Sequence, residues 1–104
     1  MTHRVILRME IRPELAAEFE RTWLEVARTI ARHPANRGQT LVRDIVEPHV
    51  YHVLTDWAGE AEFRAFELSE EHVENRRRLA PFRTGGDMTV SRVVHHLEPV
   101  AAVT

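Results

Sequence analysis

With 104 residues, of which 43% are hydrophobic and 29% charged, the chain is of a size and composition typical of one globular domain with a thin core. Its net charge of −2 excludes a protein held to nucleic acid mainly by phosphate contacts, and its lack of cysteine excludes disulfides and thiolate sites. No apolar run approaches the roughly 20 residues that span a bilayer, and the N-terminus has no signal-peptide core, so we expect a cytoplasmic protein without a membrane partner.

The N-terminal third of the chain predicts a strand followed by a helix. Residues 3–11 alternate between apolar and polar side chains, which is typical of a half-buried strand. Pro13 stands where a helix can begin, and the helix should end at His33, because the residue before Pro34 is disfavoured in the helical region. Apolar residues at spacings of three and four predict one buried helical face, made of Leu15, Phe19, Trp23, Val26 and Ile30.

The middle of the chain predicts a hairpin and two short helices. Residues 36–39 read as a loop, and strands are predicted over 39–46 and 50–57. One helix is expected to begin near Ala58. Another is expected after Ser69, which is a favourable N-cap residue followed by acids in the first turn.

The last part of the chain predicts a turn and a final strand. Residues 84–87, with the sequence TGGD, read as a flexible turn, and residues 88–97 read as a strand. The resulting order is β-α-β-β-α-β, with the second helical region in two pieces. This is the ferredoxin-like order, so we predict an α+β fold with an antiparallel sheet and helices on one face.

The register of the hairpin decides which side chains share a face of the sheet. If the hairpin is centred on Pro48, Arg43 opposes Val53 and Asp44 opposes His52. Both faces then carry apolar residues, and a second copy of the chain is the simplest cover for the outer one. We therefore predict a homodimer through the sheet face that bears Asp44 and His52, which would form a structural pair at the interface. The side chains predicted to share the other face are Leu41, Arg43, Ile45, Tyr51, Val53, Thr55 and Trp57.

Several segments together resemble a known family. The first strand running into IRPE, the strand ending in VLTDW, the following AEFRAF and a short arginine-containing helix are similar to the antibiotic biosynthesis monooxygenase (ABM) domain. Small stand-alone members from aromatic polyketide pathways are the most similar. The resemblance covers about residues 3–98, and it implies a single domain over 1–104, with 99–104 as a tail, and a dimeric α+β barrel. It also implies a pocket between the sheet and its helices, on the face that carries Trp57.

The resemblance implies a set of site residues. Quinone-forming members oxygenate a reduced polyaromatic without metal, flavin or haem, in a pocket that holds a Trp, an Asn, a Tyr and an Arg. The matching positions here are Trp57, Val53, Phe63 and Arg77, with Arg76 one residue away as the alternative. We expect Trp57 and Arg77 to be catalytic. The residues expected to bind the substrate are Leu7, Arg43, Tyr51, Val53, Phe63 and Phe66.

No cofactor or metal is expected. In the haem-degrading branch of the family the positions of the Asn, Trp and His correspond here to Leu7, Phe66 and Arg76. None of these keeps the residue type that haem degradation needs. The pair His95 and His96 is adjacent in a predicted strand, so its side chains point to opposite faces and do not converge on a metal.

Three functional hypotheses follow. The first is a cofactor-independent monooxygenase that uses O₂ to convert a phenol or anthrone of an aromatic polyketide pathway into a quinone or hydroxylated product. The second is a polyketide-binding protein that assists cyclisation or acts as an accessory subunit, because Val53 and Phe63 replace polar groups of the oxygenases. The third is a dimeric domain whose partner is another protein.

Overall fold

The computed structural model describes residues 1–101, which form one four-stranded antiparallel sheet with helices packed on one face. The strands are β1 (His3–Ile11), β2 (Asn36–Arg43), β3 (Val50–Trp57) and β4 (Arg83–Arg92). The helices are α1 (Ala16–Ile30), α2 (Glu60–Glu67) and α3 (Glu70–Leu79), and single 3₁₀ turns span Pro13–Leu15 and Ala80–Phe82. The strand order β2-β3-β1-β4 is that of a ferredoxin-like sheet, which confirms the predicted fold. Of the predicted tail 99–104, residues 102–104 lie outside the described residues.

The first helix is held by the apolar face that its spacing predicts. Phe19 is fully buried, Val26 and Ile30 are buried beside it, and Trp23 is half-buried. The helix ends at Ile30, three residues before the predicted end, and a hydrogen-bonded turn leads from there into β2. No helix of the described chain is long and apolar enough to cross a bilayer.

The segment 36–39 belongs to β2, so its prediction as a loop was wrong. The strand pairs with β3 from Asn36 onward and ends at Arg43, whereas the prediction placed the strand over 39–46. A register shift after Asn36 and a positive φ of 142° at Gly38 let the chain enter the sheet there. Because β2 is an edge strand, its polar side chains remain in solvent, which is why their composition resembles a loop.

The predicted pair between Asp44 and His52 was also wrong. Val42 is the residue opposite His52, and Asp44 follows the end of β2. Its carboxylate accepts hydrogen bonds from the backbone N–H groups of Val46 at 2.7 Å and Glu47 at 2.8 Å. These bonds, led by that from Glu47, hold the pKa of Asp44 below its ordinary value and close the turn between the strands.

The hairpin register is shifted by two residues from the prediction. Arg43 opposes Tyr51 and Leu41 opposes Val53. Because side chains alternate with a period of two, a shift of two residues leaves the side chains within β2 and β3 on the faces predicted for them. Trp57 therefore lies on the helix-covered face. Asp44 and Ile45 lie beyond the end of β2, so their predicted places on the two faces were wrong.

The predicted turn at 84–87 lies inside β4, so the prediction of a strand over 88–97 was displaced by about five residues. The strand pairs with β1 along its length, and a bulge stands near its start. Gly86 has a φ of 148°, and a Cβ atom there would overlap the carbonyl oxygen of Arg8. Gly85 and Gly86 thus lie within a strand and do not form a turn, and Gly86 permits close approach of β4 to β1.

Candidate functional site

A cavity of about 480 Å³ lies between the helix-covered face of the sheet and the helices. This volume falls within the range of small-molecule sites. All four strands and all three helices contribute to its wall. The apolar side chains of the wall are Val5, Leu7, Met9, Trp23, Val26, Ile30, Val53, Trp57, Phe63, Phe66, Leu79 and Met88.

Trp57 is both a core residue and a wall of this cavity. Its side chain is only 1% exposed, and its ring lies 4.5 Å from that of Phe66 and 5.7 Å from that of Phe63, centroid to centroid. The indole N–H donates to the hydroxyl of Thr55 at 3.0 Å. Since that donor is already used, Trp57 offers a ligand an aromatic surface and not a hydrogen bond.

A row of rings continues from Trp57 towards α3. Phe66 lies between Trp57 and His72, and its centroid is 4.3 Å from that of His72. His33, in the turn after α1, packs edge-on against Trp57 and Phe66 at 5.6 Å from each. The cavity therefore has one aromatic side that is suited to a flat ring system.

His72 is the residue of the site that the sequence did not indicate. Its backbone N–H donates to the hydroxyl of Ser69 at 3.2 Å, the N-cap bond that starts α3 as predicted. Its ring nitrogen Nδ1 is shielded from solvent and has no hydrogen-bond partner within residues 1–101. Burial, and then the charge of Arg76, lower the pKa of His72 to about 4, so the imidazole is neutral at pH 7. The spacing of His72, Arg76 and Leu79 on one helical face was the available signal.

The three consecutive arginines of α3 have three different environments. Arg76 lies in the cavity wall, and the described residues include no acid paired with it. Arg77 is exposed and donates to Glu74 at 2.6 Å, and Arg78 pairs with Glu25 of α1. Because each helical residue is rotated by about 100° from the last, only one of the three can face the cavity. The placement of Arg77 therefore does not fit the catalytic role that the sequence suggested.

Arg43 and Tyr51 lie outside the cavity wall, Tyr51 buried in the core and Arg43 exposed beside it. The Tyr51 hydroxyl donates to Glu20 at 2.5 Å, and burial with this bond raises its pKa to about 12. The Arg43 guanidinium donates to the carbonyl of Pro48 at 2.6 Å and to Glu20 at 3.4 Å, and it lies 5.3 Å from the Tyr51 ring. Neither residue therefore contacts a ligand in this cavity. The predicted substrate-binding residues that do lie in the wall are Leu7, Val53, Phe63 and Phe66.

The other polar residues of the wall are Gln39, Thr55, Glu67, Arg83 and Asp87. Gln39 donates to the carbonyl of Ala27 at 2.8 Å, and Glu67 accepts from Arg64 at 3.3 Å, so both are engaged within the protein. Over residues 1–101 there is no cluster of three or more His, Asp or Glu side chains placed to hold a metal ion.

A ferredoxin-like sheet with an aromatic-walled cavity under its helices defines a small α+β domain with a cavity of the size of a small-molecule site. A model of the antibiotic biosynthesis monooxygenase family matches residues 2–78. The chain belongs to this family.

Individual relatives agree with this assignment. Protein SchA from Streptomyces halstedii is 29% identical over 82 residues, which are 79% of this chain and 22% of SchA. The chain thus spans about a fifth of the length of this curated relative. SnoaB, a cofactor-independent oxygenase from Streptomyces nogalater, superposes with a TM-score of 0.83 at 19% identity, covering 94% of this chain and 98% of SnoaB. A conserved protein from Methanosarcina mazei Go1 gives a TM-score of 0.81 at 15% identity, over 88% and 92% of the two chains. At these identities the two structures show a shared fold.

Proposed function

We propose that the protein is a cofactor-independent monooxygenase that uses O₂ to oxidise a flat phenol or anthrone of an aromatic polyketide pathway. The observation that carries this proposal is the cavity itself, whose aromatic side is formed by Trp57, Phe63 and Phe66. The family membership and the fold shared with SnoaB support it. The proposal places Trp57 against the substrate ring and Arg76, in place of Arg77, at its oxygen.

The chemistry needs little from the protein beyond binding. A deprotonated anthrone or phenol is rich enough in electrons to reduce O₂ directly, forming a carbon–peroxide bond. For an anthrone, loss of water from the peroxide converts the CH₂ group into a carbonyl, so one oxygen atom enters the product and the other leaves as water. The substrate supplies the electrons. The protein holds the ring, excludes bulk water and stabilises the anion.

The proposal is tested by oxygen consumption with chelator-treated protein and an anthrone as the substrate. We expect uptake above the rate in buffer, with loss of most of that increment in Trp57→Ala and Arg76→Gln. The matched control is Arg77→Gln, which changes the neighbouring arginine outside the cavity and should keep the wild-type rate. Uptake that fails with Arg77→Gln and survives Arg76→Gln would contradict the assignment.

A second candidate function is binding without oxygenation, for assisted cyclisation or as an accessory subunit. It is favoured by the small number of bases in the cavity wall, which are Glu67, His72 and Asp87. Glu67 is tied to Arg64, and the low pKa of His72 makes it a weak base. Quenching of tryptophan fluorescence by an anthrone, without oxygen consumption, is the outcome that favours this candidate.

We also propose that the protein forms a homodimer through the outer face of the sheet. Within residues 1–101 this face carries Ile6 opposite Leu54 and Val42 opposite His52, all at least partly exposed. On the same face Arg4 forms a two-point ion pair with Asp56 at 2.7 and 2.9 Å. An apolar patch of this kind on a small domain is a candidate interface. Asp44 is not part of it, since its side chain closes the hairpin turn.

A further inference from the structure

Arg76 is an unusual member of the arginine run in α3. The two arginines that follow it in sequence, Arg77 and Arg78, are held by ion pairs to Glu74 and Glu25, whereas no described acid holds Arg76. It is an exposed residue that also contributes to the wall of a cavity whose lining is mostly apolar. Because no described acid holds its guanidinium, the donors are free for an acceptor oxygen of a ligand, and an ionised oxygen forms the stronger, charge-assisted bond.

His72 stands one helical turn before Arg76 and faces the same cavity. Its ring is held against Phe66, its Nδ1 is shielded without a partner, and its Nε2 makes no hydrogen bond within the described residues. An orphaned N–H group is rarer in proteins than an orphaned acceptor. Because Nδ1 is shielded without a partner, it is assigned as the unprotonated nitrogen, and the proton is assigned to Nε2. The imidazole then has an N–H donor for a group in the cavity.

The two side chains are compatible because only one of them is charged. Residues four apart on a helix are neighbours, with Cβ atoms about 5–6 Å apart. A second cation at that distance would repel the first, but a neutral imidazole adds a donor without adding charge. Two acids share the wall with this pair. The carboxylate of Glu67 on α2 is bound to Arg64, which offsets its charge, and Asp87 lies on β4.

We propose that His72 and Arg76 form an oxyanion site for a flat aromatic ligand that carries an ionised oxygen and a second oxygen on the same edge of its ring system. The Arg76 guanidinium binds the ionised oxygen, and His72 Nε2–H donates to the second. The inference rests on the proposed function and deepens it, since it names the part of the substrate that is recognised. In the oxidation this pair stabilises the anion that reduces O₂ and the peroxide that follows.

Binding of two naphthoquinones of nearly equal shape tests the site. The probe is 2-hydroxy-1,4-naphthoquinone, which is an anion at pH 7 with a carbonyl beside its ionised oxygen. The matched compound is 2-methoxy-1,4-naphthoquinone, which has no charge. Quenching of tryptophan fluorescence gives both dissociation constants, because Trp23 and Trp57 line the cavity. We expect wild type to prefer the anion by at least about tenfold, the effect of one charge-assisted hydrogen bond.

Four variants separate the two donors. Arg76→Gln should abolish the preference for the anion, because the two compounds differ at the oxygen that Arg76 binds. His72→Phe, which keeps a ring against Phe66, should weaken the binding of both compounds by about threefold to tenfold, because both carry the carbonyl to which His72 Nε2–H donates. His72→Gln keeps an N–H donor and should restore part of that affinity. Arg77→Gln should bind both compounds as wild type does.

Two results would overturn the inference. One is equal affinity of wild type for the two quinones, and the other is an unchanged affinity of His72→Phe for both of them. The proposed function is tested separately by oxygen uptake. A protein that shows the anion preference but consumes no O₂ supports the oxyanion site and contradicts the monooxygenase. A protein that consumes O₂ but shows no preference for the anion supports the monooxygenase and contradicts the oxyanion site.

Discussion

Lowering the pH from 7 to 5 should destabilise the protein through His72, and replacing that residue with Phe should remove this part of the acid sensitivity. The pKa of His72 is lowered from 6.5 to about 4 by burial and by Arg76, while Glu67 opposes the shift. The unfolded chain therefore binds the proton more tightly than the folded protein does. The resulting penalty is absent above pH 6.5, grows as the pH falls, and is complete below about pH 4.

The size of the effect follows from the shift. A gap between 6.5 and about 4 corresponds to about 3 kcal/mol of unfolding free energy if the ring is fully shielded. Because His72 is only half-buried, solvent screening reduces this. Between pH 7 and pH 5, where the titration is incomplete, we expect wild type to lose about 1 kcal/mol more than His72→Phe does.

Urea unfolding at pH 7 and pH 5 measures this difference, since carboxylates that titrate in both proteins cancel in the comparison. His95→Gln is the matched control. This substitution removes an exposed histidine from the segment after β4. Between pH 7 and pH 5 the variant should lose as much unfolding free energy as wild type. Equal losses in wild type and His72→Phe would refute the reasoning, because His72 would then titrate alike in the folded and unfolded chains.

Three further predictions concern packing and assembly. Trp57→Ala should lower the free energy of unfolding by about 3–5 kcal/mol, the usual effect of removing a fully buried aromatic side chain, and a urea midpoint near that of wild type would contradict its place in the core. Gly86→Ala should cost at least about 2 kcal/mol because of its positive φ and its contact with β1. Gly85→Ala is the milder comparison, since a Cβ there meets only a flexible side chain, and equal losses would speak against this account. Leu54→Asp should convert the proposed dimer to a monomer in light scattering, whereas a wild-type mass that is already monomeric would exclude the dimer.

The order of the elements was predictable because hydrophobic periodicity marks β1, α1 and β3 clearly. The errors fall where the composition of a strand resembles that of a loop. Asn36 to Gly38 and Gly85 to Gly86 are polar or glycine-rich, yet they pair in the sheet through bulges and positive φ angles. These conformations are required by contacts with neighbouring strands. Hydrophobic periodicity along the chain carries no information about such contacts.

The candidate site was predictable in part. The wall residues Leu7 and Val53 share the sheet face of Trp57, and Phe63 and Phe66 of α2 pack against Trp57. A register error of two residues did not change which side chains lie on that face. The choice between Arg76 and Arg77 was not predictable, because one residue on a helix turns a side chain by about 100°. The burial of His72 depends on its contact with Phe66, a residue of another helix.

In the proposed reaction the protein itself catalyses the transfer of one oxygen atom from O₂ to a flat aromatic substrate. Mass spectrometry of the quinone formed from an anthrone under ¹⁸O₂ by chelator-treated protein tests this reaction. We expect a protein-dependent rate with one ¹⁸O atom in each quinone, lost in Arg76→Gln and retained in Arg77→Gln. A quinone that forms no faster than in buffer, or that takes its new oxygen from water, would contradict it.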